Sequence, residues 1–313
     1  MGFTLLLLVL SIFCGFLSTS FEWNTSLLVL PPSDHLSYAA LAPATPRILL
    51  LTAHPDDECM FFAPTLLSLH SLASDLEVFS LCLSVGNADG LGKIRRRELE
   101  RSLDVLGVEA GRRWIEDRPD LQDNFTARWD ADIIADVLKP YVLQGKITTI
   151  LTFDHLGISA HPNHMSLAQG AGHLIASLSA TNTSAAVPRL FTLVSAPLLR
   201  KYTGPLAAII AKARGFLFDT WGRINNFPHS GADSGTVQPP QIGSAADART
   251  TSVFVSSVTE YTRALRAMTE HRSQLVWFRW LYVAFSRYMW VNEWVEVVAA
   301  TAAAPVSMAS PEG

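Results

Sequence analysis

The chain has 313 residues, enough for one large α/β domain with additions or for two small domains. Hydrophobic residues make up 49%, which supports a sizeable core, and a formal net charge of −4 leaves no strong positive field to collect nucleic acid. Three cysteines, Cys14, Cys59 and Cys82, cannot build a framework of bridges, and they fit a reducing compartment.

Residues 1–21 carry no charge; Glu22 is the first. An apolar run of that length sits at the lower limit for crossing a bilayer, roughly 17–20 residues. It is read as a transmembrane anchor. A cleaved signal peptide is the alternative: Gly15 and Ser18 to Ser20 offer small residues for cleavage, but the basic segment that usually opens such a peptide is missing, since no Lys or Arg precedes the run. No Lys or Arg appears before Arg47, so charge asymmetry does not orient the segment. Residues 22–46 are read as a Pro- and Ser-containing connector.

From Arg47 onward, strand-like and helix-like stretches alternate. Residues 47–52 are a short apolar run, bounded by Pro46 and Pro55, that predicts a buried strand. Residues 60–72 predict a helix, 76–83 a second strand, and 92–106 a helix with Ile94, Leu99, Leu103 and Leu106 on one stripe. Trp114 and Ile115 start a short third strand. Residues 130–143 predict a helix capped by Asp130, 148–153 a fourth strand, 161–178 a helix and 189–194 a fifth strand. Such alternation implies right-handed crossovers and a Rossmann-like, mostly parallel sheet with helices on both faces, over a core at 47–205. Residues 206–251 are read as an insertion, flexible at 225–250, where Gly, Ser, Asn and Pro accumulate. Residues 252–298 are read as a C-terminal helical region. Its aromatic part carries Trp277, Phe278, Trp280, Tyr282, Tyr288 and Arg279, which suits either a membrane interface or packing on the main domain. Residues 299–313 are read as a disordered tail.

Three clusters carry chemistry. Ala53-His54-Pro55-Asp56-Asp57-Glu58 follows the first buried strand, at the carboxyl edge where open α/β folds keep their sites. A plain helix start, with acids complementing the dipole, is the rival reading. Asp154, His155, His161, Asn163 and His164 follow the fourth strand, with His161 and His164 on one helical turn. If the ends of these two strands meet, His54, Asp56, Asp57, His161 and His164 are pooled. Three of them would satisfy a catalytic Zn²⁺ or similar divalent metal, and two would remain for proton transfer and transition-state stabilisation. The third cluster runs from Gly86-Asn87 through Gly90 and Gly92 to Arg95 and Glu98. A Gly-rich loop opening a helix can hold an anion, although it lacks the dinucleotide fingerprint.

Taken together, AHPDDE, the SxGNxxGxGxxRxxEL block from Ser84 to Leu99, and the HxNH block resemble the LmbE-like zinc de-N-acetylases. The resemblance implies that His54, Asp57 and His164 hold the metal. Asp56 would be the general base, and His161 would polarise the acetyl carbonyl or protonate the leaving amine. Asn87, Arg95 and Glu98 match its substrate-side block, with Arg95 meeting a phosphodiester. Relatives often carry an acid where this chain has Asn163, which makes Asp154 a substitute partner for His161. The apolar N-terminus and the aromatic tail suggest the eukaryotic branch. That branch implies a glycosylated inositol phospholipid as substrate and a place in the endoplasmic reticulum membrane, with the catalytic domain facing the cytosol. The residues also leave open a secreted de-N-acetylase of soluble amino sugars, or a tethered binding protein without catalysis.

Overall fold

The structure, a computed structural model, describes residues 4, 11, 14–25, 28, 45–72, 75–181, 187–225 and 251–297. Most of the 1–21 anchor and of the 22–46 connector therefore lies outside the described residues, as do the flexible part of the insertion and the 299–313 tail. Among the described residues, no helix is long and apolar enough to cross a membrane.

Eight strands form one sheet: β1 (Phe21–Trp23), β2 (Arg47–Thr52), β3 (Glu77–Cys82), β4 (Arg113–Ile115), β5 (Thr149–Phe153), β6 (Arg189–Leu193), β7 (Thr251–Val255) and β8 (Val291–Glu296). Their spatial order is β1-β7-β8-β6-β5-β2-β3-β4. The run from β6 to β4 is parallel, whereas β8, β7 and β1 extend it antiparallel. Strands β2 and β5 read as unbroken apolar runs because both faces are covered; Ile48, Leu49, Leu51, Ile150 and Leu151 are fully buried.

Between the parallel strands lie α1 (Asp57–Phe61), α2 (Ala63–Leu72), α3 (Gly92–Leu106), α4 (Ala131–Gly145) and α5 (Pro162–Ala180). The chain moves outward from β2 through β3 to β4, then crosses back to β5 and β6. Right-handed crossovers consequently put α2 and α3 on one face and α4 and α5 on the other. The topological switch falls between β2 and β5, which pair directly with Ile48 opposite Thr149. Helix α4 opens as expected, with Asp130 accepting from the amides of Asp132 and Ile133. On that face Gly170 lets α5 approach α4, because a Cβ there would stand 2.3 Å from Ile134 Cγ2.

The C-terminal half corrects the sequence reading. It holds α6 (Pro205–Asn225), α7 (Val258–Glu270) and α8 (Trp277–Phe285); α6 lies before the stretch read as flexible and does not bear on that reading. The stretch 252–298 is not purely helical; β7 and β8 frame it and complete the sheet. A continuous aromatic run has no period that separates a helix from a buried strand. Here burial decides: Trp294 stacks on Phe62 with centroids 5.8 Å apart, and its indole donates to Thr65 Oγ1 at 2.8 Å. Phe21 to Trp23 likewise belong to an edge strand rather than to the anchor or connector. Ser252 Oγ donates to the Asn24 carbonyl just beyond it. Arg189 and Glu296 bind fork to fork, two bonds of 2.6 Å, and tie β6 to β8.

One buried pair welds the C-terminal half to the first site helix. His271, completely buried after α7, stands 2.7 Å from Glu58 Oε1, which also accepts from Ser102 Oγ. Burial opposes both charges, yet mutual attraction holds Glu58 below and His271 above its ordinary pKa. His271→Ala leaves the carboxylate uncompensated and is expected to lose about 3–5 kcal/mol of stability, part of which Glu58→Gln restores. Denaturant unfolding of the single and double variants checks this. Equal losses would assign the effect to packing rather than charge.

Candidate active site

The turn after β2 is built by its own carboxylates. Asp57 Oδ2 accepts from the backbone amides of Ala53 at 3.0 Å and His54 at 2.9 Å, which closes the turn. Asp56 sits at φ 109°, ψ −21°, a backbone region that a non-glycine residue enters only under constraint. The constraint is Glu58, whose Oε2 accepts the Asp56 amide at 3.0 Å. The Met60 amide and the Cys59 thiol bind the Asp56 carbonyl at 3.0 and 3.2 Å. So three successive acids have three duties: Asp57 closes the turn, Glu58 holds the strained residue, and Asp56 points its carboxylate elsewhere.

After β5 a second turn brings the imidazoles. Gly157, at φ 60°, lies against His164, and a Cβ on it would stand 2.9 Å from the His164 Cβ. The Gly157 carbonyl faces His164 Nδ1 at 3.3 Å; a carbonyl only accepts, so Nδ1 carries the proton. His164 Nε2 then faces Asp57 Oδ1 at 3.2 Å. His161 caps α5 by accepting the Asn163 amide on Nδ1 at 3.3 Å, which places the proton of its neutral form on Nε2. The ring centroids of His54 and His161 are 4.8 Å apart, and those of His161 and His164 are 4.9 Å apart. One ligand atom from each of His54, His161 and His164 lies within 4.8 Å of the others.

Electrostatics sort these groups. Burial pushes the His54 imidazole down to about 4, so it is neutral near pH 7. Burial and neighbouring His164 also push His161 down. Burial works against a charged His164, but Asp57 outweighs it and raises the pKa. Burial likewise opposes ionised Asp57, yet His164, His54 and the turn amides hold its carboxyl well below the carboxylate range. Asp56 goes the other way, because burial raises it by more than Arg279 and Arg95 lower it.

The five residues pooled from the sequence are therefore together. Others take different posts from those expected. Asp154 does not reach His161; its carboxylate accepts from Ser195 Oγ at 2.6 Å and the Ser195 amide at 2.7 Å, closing its own loop. Asn163 orients His54 rather than His161. Its Nδ2 donates to Ala127 O and its Oδ1 accepts the Asn124 amide, which fixes Oδ1 toward His54 Nε2 at 3.0 Å. Arg95 is buried, donating to the carbonyls of Pro55 at 2.8 Å and Gly86 at 3.0 Å; it supports the site turns instead of presenting a free cation. Glu98 is also buried and accepts from the Ser273 amide and hydroxyl at 2.8 and 2.5 Å, so it anchors the C-terminal half. Asn87, on the exposed loop, accepts the Gly92 amide at 2.9 Å and shapes the start of α3.

Two residues escaped the sequence reading. Asp123, in the loop before α4, places Oδ1 3.2 Å from His54 Nε2 and 3.8 Å from His161 Nε2, and Oδ2 3.4 Å from Arg95. Nothing marks it among the polar residues around it. Arg279, on α8, donates to Asp56 Oδ2 at 3.1 Å. A cation inside an aromatic run was its visible signal.

The donor set suits a divalent metal. Two ligands of a tetrahedral zinc, each about 2.1 Å from the ion, lie about 3.4 Å apart. Asp57 Oδ1 and His164 Nε2 stand 3.2 Å apart. His54 and His164 each give one ring N–H to a protein oxygen, as ligating imidazoles do, and keep the other nitrogen's lone pair.

An open α/β sheet with buried imidazoles and carboxylates at its switch point forms a centre suited to acid–base or metal-assisted chemistry rather than a nucleotide cradle. A family model described as PIG-L, GlcNAc-PI de-N-acetylase, matches residues 49–175. The chain is 39% identical to the N-acetylglucosaminyl-phosphatidylinositol de-N-acetylase of Bos taurus, over 81% of this chain and 85% of that one. It is 33% identical to the protein of the same name from Arthroderma benhamiae, over 84% of this chain and 90% of that one. The chain belongs to the PIG-L de-N-acetylase family and is a hydrolase of that kind. The zinc-inhibited form of teicoplanin deacetylase Orf2 shares the fold, with a TM-score of 0.50 at 14% identity, covering 82% of this chain and 100% of that one.

Asp123 should act by positioning. Asp123→Asn keeps the volume but removes the charge facing His54 and Arg95. It should lower the de-N-acetylation rate about 10- to 100-fold with little change in melting temperature. Acetate release alongside thermal unfolding measures this; an unchanged rate would leave Asp123 without a role.

Proposed function

We propose that this chain removes the N-acetyl group from N-acetylglucosaminylphosphatidylinositol, giving glucosaminylphosphatidylinositol and acetate, in GPI-anchor biosynthesis. The substrate is inferred from the names of the relatives. The chemistry rests on one observation: Asp57 and His164, from turns after different strands, meet at 3.2 Å with His54 and His161 beside them.

In this reading His54, Asp57 and His164 hold Zn²⁺ or a similar divalent ion. The ion would polarise the amide carbonyl and lower the pKa of water toward neutrality. Asp57 is preferred over His161 as the third ligand because the turn amides hold its carboxylate in place. Asp56, steadied by Arg279, takes the proton of the attacking water. His161 donates from Nε2 to the oxygen that gains charge on the carbonyl. The C–N bond then breaks, Asp56 returns its proton to the departing amine, and acetate leaves.

The cellular setting is proposed from the family resemblance: the endoplasmic reticulum membrane, crossed once by the apolar run that precedes β1, with the catalytic domain in the cytosol. Cys59 and Cys82 are buried and unpaired, which suits that reducing side. Asn24-Thr25-Ser26, Asn124-Phe125-Thr126 and Asn182-Thr183-Ser184, which match the N-glycosylation acceptor pattern, would then stay unmodified. Endoglycosidase-sensitive sugar on Asn124 would contradict the orientation.

Three variants separate the roles. Asp56→Asn should keep the metal while turnover falls about 10²- to 10⁴-fold. His164→Ala should lose both metal and turnover. His161→Ala should keep the metal and lose turnover. Metal analysis is paired with acetate release from the glycolipid, and chelation followed by metal return should abolish and restore wild-type activity. Loss of metal in His161→Ala would move the third ligand from Asp57 to His161.

A further inference from the structure

The most exposed of the large apolar side chains, among the described residues, lie on segments that touch the site or the loop after β5. On α8, Trp277 is 77% exposed and Phe278 52% exposed; on the turn Leu198–Lys201, Leu199 is 89% exposed; beside His161, Phe125 is 74% exposed. Each segment makes such a contact. Arg279 of α8 binds Asp56, Lys201 Nζ donates to the Ile158 carbonyl at 3.2 Å, and the Phe125 ring is 4.8 Å from His161. The turn and α8 also touch each other, with the Gly204 amide donating to the Phe285 carbonyl at 2.7 Å. Among the described residues nothing covers these side chains.

We infer that this face seats on the surface of an anionic phospholipid bilayer, so that the mouth of the site opens directly onto the lipid. The inference rests on the lipid substrate proposed above. Three features favour a bilayer over a protein partner. First, the stretches that carry these apolar side chains, 196–218 and 271–292, hold no acid, and their outward cations are Arg200, Arg214 and Arg272. Basic residues among Trp, Tyr and Phe are the composition of an interfacial anchor facing anionic headgroups. Second, α6, which follows the turn, lies against the root of the apolar N-terminal run. Lys212 Nζ binds the carbonyls of Phe16 and Thr19, and Trp23 contacts Phe218 with ring centroids 4.7 Å apart. Helix α6 exposes Phe216 and Leu217 there. Third, α8 is short and amphipathic: Val283 is buried, and Tyr282 holds the helix to the Met60 carbonyl at 3.0 Å. Its depth fits the headgroup boundary rather than a span.

The reaction needs such a seat. A glycolipid whose chains stay in the bilayer presents its sugar only a few ångströms above the headgroups. A site framed by side chains that enter the boundary can meet the sugar without extracting the lipid. The same helix supplies Arg279 to Asp56, so the docking element also steadies the proposed base.

The test uses the full chain reconstituted with vesicles of phosphatidylcholine and phosphatidylserine. Acyl-brominated lipid should quench the tryptophan emission of the wild type. W277F/W280F should lose about half or more of the quenched signal, since interfacial Trp sits at the brominated depth. In parallel, the Leu199→Ser/Trp277→Ser/Phe278→Ser variant should lose roughly tenfold in rate on vesicle-borne substrate at limiting lipid, yet keep its rate on an acyl-free glycosyl inositol phosphate. High salt should weaken the vesicle rate of the wild type. Quenching that is the same with and without Trp277 and Trp280 would overturn the inference, as would a purified chain that dimerises through this face and ignores bromine. A wild type that releases no acetate from either substrate would sink the functional reading while the quenching result still decides the docking.

Discussion

The contact between Asp57 and His164 is the constraint on which the site depends. Both groups are nearly inaccessible, and desolvation opposes charge on each. An isolated buried carboxylate costs several kcal/mol, so the pair persists only because each group meets the other and the backbone meets both. Asp57 spends one oxygen on two amides and offers the other to His164; His164 spends one nitrogen on Gly157 and offers the other to Asp57. The two facing atoms, 3.2 Å apart, are the ones a divalent cation would take in place of the proton they share. The pair suits a cation, and it exists because β2 and β5 pair at the switch point.

The same arithmetic of charge explains why the C-terminal half cannot be an accessory. Asp56, Asp57, Glu58 and Asp123 crowd one small volume. The cations that balance them come from three places: Arg95 on α3, His271 after α7 and Arg279 on α8. Two of the three lie more than 200 residues from the turn they support. A deletion that removed α7, α8 and the segment between them would take the cation from Glu58 and one of the two from Asp56. Strand β8 is tied to the same helices by neutral bonds, since Asn292 and Trp294 bind Thr65 and Asn292 also binds the Phe61 carbonyl at the end of α1.

Much of this was legible in the sequence where the period was clear. The alternation from Arg47 to Leu193 gave strands and helices within a few residues of those observed, and two histidine-bearing turns at strand ends pointed to one site. Reading stopped where side chains act across long separations. Glu98 looked like a substrate ligand because it lies in a Gly-rich block, but burial and Ser273 give it a structural post. Asp154 was adjacent in sequence to the imidazoles and yet turns away to Ser195. Asp123 carried no signal, because a lone acid in a polar loop is the commonest of surface features. The strand β8 was hidden inside an aromatic run whose hydrophobicity is equally suited to a helix.

Arg279 connects the two ends of this molecule's problem. Its guanidinium lies against Asp56, while the residues on either side of it, Phe278 and Trp280, face outward. A helix that held only the carboxylate would need no exposed aromatics, and a helix that only met lipid would need no cation turned inward. If α8 sits at a bilayer boundary, an Arg on its inner side is shielded from water by lipid on one flank and protein on the other. Its grip on Asp56 then strengthens as the local dielectric falls. Proximity to the membrane and orientation of the proposed base thus become one event, carried by nine residues of helix.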